Sequence, residues 1–174
     1  MTSFLRPTPV ARDAQIQLLA PSSPFDRQRF DAGAALLGQR YRPQLGRSLF
    51  AKQGYLAGDD AARLADLRDA LESEEIAAIV PARGGYGVTR ILPLLDVDEV
   101  ARAGKWLVGF SDVTALHALW ARAGLCSIHG PMVASLWEAA SETQTEWFRL
   151  LEGGTPRALG GLTPLRCCDT EIGA

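Results

Sequence analysis

Residues 106–114 have the sequence WLVGFSDVT, in which an apolar strand, Trp106–Phe110, runs directly into a serine. A helical pattern of apolar residues begins at Val113, just after that serine. A serine at such a strand-to-helix turn projects from the edge of the sheet, beside the unpaired N–H groups of the helix start. The pattern therefore predicts that Ser111 is a nucleophile with an oxyanion site next to it.

Apolar strands alternate with helical patterns along the rest of the chain. The predicted strands are Ile16–Ala20, Ser48–Ala51, Ile76–Val80, Trp106–Phe110 and Leu125–Ile128. The predicted helices cover residues 26–39, 58–71 with aspartates at its start, 87–95 disturbed by Pro93, 97–103, the segment after Ser111, and 142–151. This alternation predicts an α/β fold in which helices cover both faces of a mainly parallel sheet.

Sites on parallel sheets form beyond the carboxyl ends of the strands. Three polar or glycine-rich segments are expected to meet there: Ala82–Gly87, Ser111–Asp112 and His129–Gly130. We expect the backbone N–H groups of Asp112 and Gly85 to be the oxyanion donors, because glycine lets the backbone approach a ligand closely.

The local pattern also permits a purely structural role for Ser111, as the N-cap of the following helix. The Gly-x-Ser-x-Gly elbow is incomplete, because Val113 occupies the position of its second glycine. Local sequence therefore leaves both interpretations of Ser111 open.

The segment Arg83-Gly84-Gly85-Tyr86-Gly87 has two functional interpretations. In the first it is an oxyanion and substrate-binding loop, in which Arg83 binds a substrate anion and Gly84 and Tyr86 contact the substrate. In the second it cradles a phosphate at a helix start, although it matches neither the dinucleotide-binding fingerprint nor the P-loop. An ordinary strand-to-helix turn is the third alternative. A non-catalytic anion-binding module is therefore the main rival of an enzyme.

The sequence offers no convincing base for Ser111. His117 lies about 9 Å of helical rise beyond it, which is too far for a direct hydrogen bond. His129 follows a strand and could be a general base, but the simplest interpretation of both histidines is structural. The chain therefore has a candidate nucleophile without a candidate proton acceptor.

The bulk composition argues against several classes of function. The chain has 174 residues, 47% of them hydrophobic, and a net charge of -2, which suits one domain and indicates neither nucleic acid nor a membrane as partner. It shows no apolar run of spanning length and no secretory signal, so a cytoplasmic location is expected. Cys126 is expected to be buried, and Cys167 and Cys168 do not suggest a disulfide framework. No Cys/His spacing predicts a metal site.

Five ordered motifs resemble the LD-carboxypeptidase family of serine peptidases, which also contains the microcin C immunity peptidases. They are 19–24 (LAPSSP), 55–60 (YLAGDD), 82–87 (ARGGYG) with Arg90 and Leu92-Pro93, 105–116 (KWLVGFSDVTAL) and 129–132 (HGPM). Five motifs in this order are far more specific than any one of them. The resemblance covers roughly residues 15–135.

The resemblance implies a flavodoxin-like domain, similar to class I glutamine amidotransferase domains. It implies that Ser111 is the nucleophile and that the N–H groups of Asp112 and Gly85 are the oxyanion donors. The implied substrate is a small peptide with an amide between an L-centre and a D-residue, typically cytoplasmic murein tetrapeptide, which releases D-Ala without a metal or cofactor. Hydrolysis of a peptidyl nucleotide, as in microcin immunity, is the alternative within the family.

The resemblance also implies that the Glu and His of the catalytic triad come from a second, C-terminal domain. We expect residues 14–152 to form the N-terminal nucleophile domain and residues 153–174 to be a linker toward that domain, which this chain lacks. The chain alone is therefore expected to be inactive or nearly so. Its uncovered domain surface is expected to favour self-association, for example as a homodimer.

Overall fold

Five parallel strands form the central sheet in the computed structural model, which describes residues 4–157. They are β1 (Gln15–Leu19), β2 (Arg42–Leu45), β3 (Ile76–Pro81), β4 (Trp106–Gly109) and β5 (Ile128–His129). Their spatial order is β2-β1-β3-β4-β5, which is the order of flavodoxin-like sheets. The predicted α/β fold with a flavodoxin-like parallel sheet is confirmed.

Helices connect the strands along the chain. They are α1 (Arg27–Gly38), α2 (Asp60–Glu72), α3 (Val88–Ile91), α4 (Val97–Ala103), α5 (Thr114–Arg122), α6 (Val133–Leu136) and α7 (Ser141–Leu151), with 3-10 turns at Leu92–Leu94 and Ser111–Val113. Asp26 and Asp59 precede α1 and α2, and their side chains accept the N–H groups of Arg29 at 2.8 Å and Ala62 at 2.7 Å. These aspartates therefore fix where the two long helices begin.

The two faces of the sheet bury separate hydrophobic cores. Leu18 and Val108 point into a core shared with α1, α6 and α7. Their neighbours Leu19 and Leu107 point into a second core, shared with α2, α3, α4 and α5. Adjacent residues of a strand face opposite sides of the sheet, and the prediction of helices on both faces is confirmed.

The strand predicted at Ser48–Ala51 is wrong. The strand at this edge of the sheet is β2, whose sequence RPQL is mostly exposed and therefore lacks the apolar signal of a buried strand. The chain beyond it makes a turn that buries Leu49, and Asp66 of α2 accepts the N–H of Ser48 at 3.0 Å.

The strand predicted at Leu125–Ile128 is shorter and lies closer to the C-terminus than expected. The observed strand, β5, has only two residues, Ile128–His129. Leu125 instead forms an isolated bridge with Leu5. The backbone of Leu5 bonds Gly124 and Cys126, both at 2.8 Å. The N-terminal segment, whose sequence shows no strand pattern, thus forms the backbone hydrogen bonds around Leu125, a residue predicted to pair within the sheet.

Cys126 is only partly buried, against the first core, so the prediction of full burial is wrong in degree. Cys167 and Cys168 lie outside the described residues, as does most of the predicted linker over 153–174. Within residues 4–157, no helix combines the length and the apolarity that crossing a bilayer requires, and no group of three or more His, Cys, Asp or Glu side chains is placed to hold a metal ion.

Helix α1 packs against α6 through Gly33, which is buried. A methyl group on Gly33 would overlap the carbonyl of Val133 and lie 2.7 Å from its carbon, whereas a methyl on Gly38 of the same helix would have no neighbour within 4 Å. Gly33→Ala should therefore lower the free energy of unfolding by about 1–3 kcal/mol, the usual cost of overpacking. Gly38→Ala should raise it or leave it unchanged. Urea unfolding monitored by circular dichroism measures both, and equal effects would contradict the packing.

Candidate active site

The carboxyl ends of β3 and β4 place two turns side by side. The strands are neighbours, with Ile79 paired to Leu107. β3 leads into the turn Arg83–Gly87, and β4 leads into Ser111. The serine and the glycine-rich turn therefore meet at one edge of the sheet.

The backbone of Ser111 adopts the left-handed conformation, with φ at +62°. For a residue other than glycine, this conformation costs of order 1–3 kcal/mol and persists only where the surroundings enforce it. The residue is exposed, and the N-cap positions of the 3-10 turn and of α5 belong to Phe110 and Val113. The N-cap interpretation thus lacks support, and the strained turn has the character of a nucleophile elbow.

Gly84 contacts the Ser111 turn directly. A methyl group at Gly84 would lie 3.0 Å from Cβ of Ser111, 3.2 Å from its Oγ and 3.4 Å from the backbone nitrogen of Asp112. A side chain at this position would press on the hydroxyl, and glycine avoids that contact. Gly84 therefore sets the distance between the two turns.

A third loop, which follows β1, holds the glycine turn in place. The N–H of Ser23 donates to the Gly84 carbonyl at 3.4 Å, and the hydroxyl of Ser23 accepts the N–H of Tyr86 at 3.2 Å. Gly85 lies between these contacts with φ at +121°, and a methyl group on it would be 2.6 Å from Cβ of Ser23. Sequence reasoning missed this role, although the loop also follows the carboxyl end of a strand.

Several backbone N–H groups are left free where the turns meet. Across residues 4–157, no protein acceptor binds the N–H groups of Gly84, Gly85, Gly87, Ser111 and Asp112. The N–H groups of Gly85 and Asp112, which the sequence predicts as oxyanion donors, are therefore both available to a ligand.

The carboxylate of Asp112 occupies the start of α3. It accepts the N–H of Val88 at 3.0 Å, so the protein itself supplies a negative charge at this helix start. The N–H of Tyr86 is already bonded to Ser23. Of the donors that a phosphate at the glycine turn could use, the N–H groups of Tyr86 and Val88 are therefore engaged, whereas those of Gly84, Gly85 and Gly87 have no acceptor within residues 4–157.

A cleft of about 330 Å³ opens between Ser111 and the first turn of α1. Two arginines line it. Arg29 is paired with Glu138, whereas the exposed Arg83 donates only to the backbone carbonyl of Pro24, at 3.3 Å, among the contacts of the described residues. Arg83 therefore has no acidic partner among the described residues.

The ring of Tyr86 does not line this cleft in the described part of the chain. It is 48% exposed, and its centroid lies 5.8 Å from the ring of Tyr55. Tyr86 thus contributes its backbone to the site, and its predicted contact with substrate has no geometric support. Arg29 was missed because a charged residue on an exposed helical turn carries no distinguishing pattern.

Comparison with known proteins identifies the family. Residues 16–130 match the family described as the LD-carboxypeptidase N-terminal domain. A Streptomyces coelicolor protein named as a carboxypeptidase is 42% identical over 142 residues. The chain belongs to the LD-carboxypeptidase family.

This LD-carboxypeptidase domain spans less than half the length of the curated relatives it matches. The Streptomyces coelicolor relative aligns with 78% of this chain and 46% of its own length. The murein tetrapeptide carboxypeptidase of Pseudomonas aeruginosa is 38% identical, over 71% of this chain and 41% of its own length.

Solved structures share the fold of this LD-carboxypeptidase domain. The MccF-like protein of Bacillus anthracis has a TM-score of 0.78 at 22% identity, over 84% of this chain and 47% of that one. The muramoyltetrapeptide carboxypeptidase of Oxalobacter formigenes has a TM-score of 0.69 at 23% identity, over 78% and 47%. These similarities confirm the predicted architecture, which resembles class I glutamine amidotransferases.

His117 is a structural residue of the domain, as predicted. Its Nε2 lies 2.9 Å from the carbonyl oxygen of Gly109 and its Nδ1 lies 2.8 Å from the hydroxyl of Ser127. The neutral ring therefore donates to the carbonyl and accepts from the hydroxyl. For His129 the structural interpretation is wrong, because its exposed ring makes no hydrogen bond within residues 4–157 and lies 5.8 Å from that of His117.

Burial lowers the pKa of His117; the hydrogen bond to Gly109 opposes this shift, and the nearby His129 adds to it. Between the lowered value and the ordinary value of about 6.5, the unfolded chain binds a proton that the folded domain does not. Stability should therefore fall as pH falls through that window. From about pH 7.5 to about pH 5 the wild-type melting temperature should drop more steeply than that of His117→Gln. Parallel slopes would contradict a neutral, half-buried His117.

Proposed function

We propose that the chain is the nucleophile domain of an LD-type serine carboxypeptidase. The complete carboxypeptidase acts on a small peptide in the cytoplasm. It cleaves an amide between an L-centre and a D-residue, such as the bond to the terminal D-Ala of a murein tetrapeptide. The observation that carries the proposal is the exposed Ser111 hydroxyl, held in a left-handed turn against Gly84 with two free N–H groups nearby. The name of the Pseudomonas aeruginosa relative supports the choice of substrate.

The proposed reaction is an acyl transfer through Ser111. Its Oγ attacks the carbonyl carbon of the scissile amide while the hydroxyl proton passes to a base. The N–H groups of Gly85 and Asp112 bind the resulting oxyanion. The tetrahedral intermediate then expels the amine of the D-residue, which takes the proton from that base, and water hydrolyses the remaining ester.

The proton acceptor is assigned to a second domain. Within residues 4–157 no base bonds the Ser111 hydroxyl. We propose that residues 14–152 form the nucleophile domain and that 153–174 lead to a C-terminal domain that supplies a Glu and a His. The relatives support this division, because the match covers only 46% and 41% of their lengths. The 174-residue chain alone would then keep only the weak catalysis of binding and oxyanion contacts.

Arg83 is the proposed contact for the end of the substrate. A peptide that is cut at its last residue presents a free carboxylate on the leaving side. Arg83 lies on the cleft next to Ser111 and has no acidic partner among the described residues. A guanidinium binds a carboxylate through two parallel hydrogen bonds, and the backbone of Gly84 lies at the same wall of the cleft.

A fluorophosphonate probe on the full-length protein tests the nucleophile. The wild type should be labelled, and Ser111→Ala should remove the labelling, because losing a triad serine costs on the order of 10⁶ in rate. The matched control is His129→Ala, which should still be labelled because the proposed base lies in the second domain. Equal labelling of wild type and Ser111→Ala would sink the proposal. Loss of labelling in His129→Ala would place the base in this domain.

A peptidyl nucleotide is the second candidate substrate. The microcin C7 self-immunity protein MccF of Escherichia coli is 29% identical to this chain over 114 residues. Incubating the full-length protein with murein tetrapeptide and, separately, with an acyl-sulfamoyl nucleotide decides between the two. Release of D-Ala alone supports the first candidate, and cleavage of the nucleotide alone supports the second.

Arg83→Met should weaken hydrolysis of a tetrapeptide with a free terminal carboxylate by about 10- to 100-fold in kcat/KM, since a charge-assisted hydrogen bond contributes about 1.5–3 kcal/mol. A tetrapeptide amide, which lacks that carboxylate, should lose far less. Arg27→Met is the control, because Arg27 pairs with Asp31 on an exposed surface. An equal loss on both peptides would show that Arg83 does not bind the carboxylate.

A further inference from the structure

Arg63 is a buried cation with no part in the chemistry proposed above. It lies near the start of α2, and its side chain has 0% exposure. Its guanidinium donates to the carbonyl of Pro21, in the loop after β1, and to the carboxylate of Asp60. Its Nε has no partner among the described residues. Burying a guanidinium is costly unless it is paired, and the pairs that Arg63 makes tie α2 to the loop after β1.

Gly87, at the end of the glycine turn, packs against this guanidinium. Its φ is +137°, and a methyl group on it would lie 2.6 Å from Nη1 of Arg63 and 3.2 Å from its Cζ. The same Nη1 donates to Pro21, two residues before the serine that bonds the glycine turn. One nitrogen of Arg63 therefore touches both loops that surround Gly85.

Asp60 extends this contact to α3. Its carboxylate accepts hydrogen bonds from Arg90, at 2.9 Å and 2.8 Å, as well as from Arg63. The hydrogen bond from Arg90, more than that from Arg63, holds the pKa of Asp60 below its ordinary value. The ion pair between Arg90 and Asp60 thus holds α3 from one side. The carboxylate of Asp112 accepts the first N–H of this helix, that of Val88.

We infer that Arg63 is a positioning residue for the oxyanion site, an inference that rests on the function proposed above. It fixes the loop Pro21–Ser23 and the turn Gly84–Gly87 relative to each other, so that the N–H of Gly85 stays beside Ser111. A lysine cannot replace it, because an ammonium is a single point charge without the planar fork by which Arg63 reaches its neighbours.

Kinetics of the full-length protein test this role with two matched substitutions in α2. Arg63→Lys should lower kcat by about 10- to 100-fold, since a small misplacement of catalytic groups has effects of this size. KM should change by less than about twofold, because the lost contact acts in the transition state. Arg68→Lys is the control: Arg68 also donates to a backbone carbonyl, of Leu94, and forms an ion pair with a carboxylate, of Glu99, but away from the site. Equal kcat values for the two variants would overturn the inference.

Hydrogen exchange of the same proteins tests the positioning without any turnover. In Arg63→Lys, the amides of Tyr86 and Val88 should exchange faster than in the wild type, while those in the middle of α2 keep their rates. Unchanged exchange over 84–88, or a uniform rise across the domain, would overturn the inference. If the wild type hydrolyses neither candidate substrate, the proposed function fails, and hydrogen exchange still decides whether Arg63 holds the turn.

Discussion

The contact between Ser111 and Gly84 is the constraint from which the rest of the site follows. A serine nucleophile must expose its hydroxyl and yet lie close to donors from another part of the chain. The left-handed turn at Ser111 provides the exposure. The missing side chain at Gly84 provides the proximity, since a methyl group there would lie 3.2 Å from the hydroxyl oxygen. The parallel sheet makes the contact available, because β3 and β4 end at the same edge.

Much of the polar structure around this contact holds the two turns rather than a ligand. Ser23 bonds the backbone on both sides of Gly85, and Asp112 takes the first N–H of α3. Arg63 touches both loops from below the surface. These contacts fix the shape of the glycine-rich turn before any ligand binds. In the described part of the chain, the N–H groups of Gly85 and Asp112 are among those of the two turns that donate to no protein acceptor.

A structural feature of this domain can be predicted from the sequence when residues close to it in the chain determine it. β3 is predictable because it is a continuous apolar run that lies buried, and α2 because its buried residues recur at helical spacing. The meeting of Ser111 with the glycine turn is predictable from chain order and the rule for strand ends. The edge strand β2 is not, because its residues are mostly exposed. Arg63 is not predictable either, since its burial depends on loops distant in sequence, and in a helix pattern it looks like any surface arginine.

The most direct test of the account is a crystal structure of the full-length protein with a phosphonate bound covalently to Ser111. The phosphonyl oxygen stands in for the oxyanion of the tetrahedral intermediate. The account predicts that this oxygen lies about 2.7–3.1 Å from both backbone nitrogens, of Gly85 and of Asp112. An adduct whose oxygen points to solvent, or bonds neither nitrogen, would contradict it.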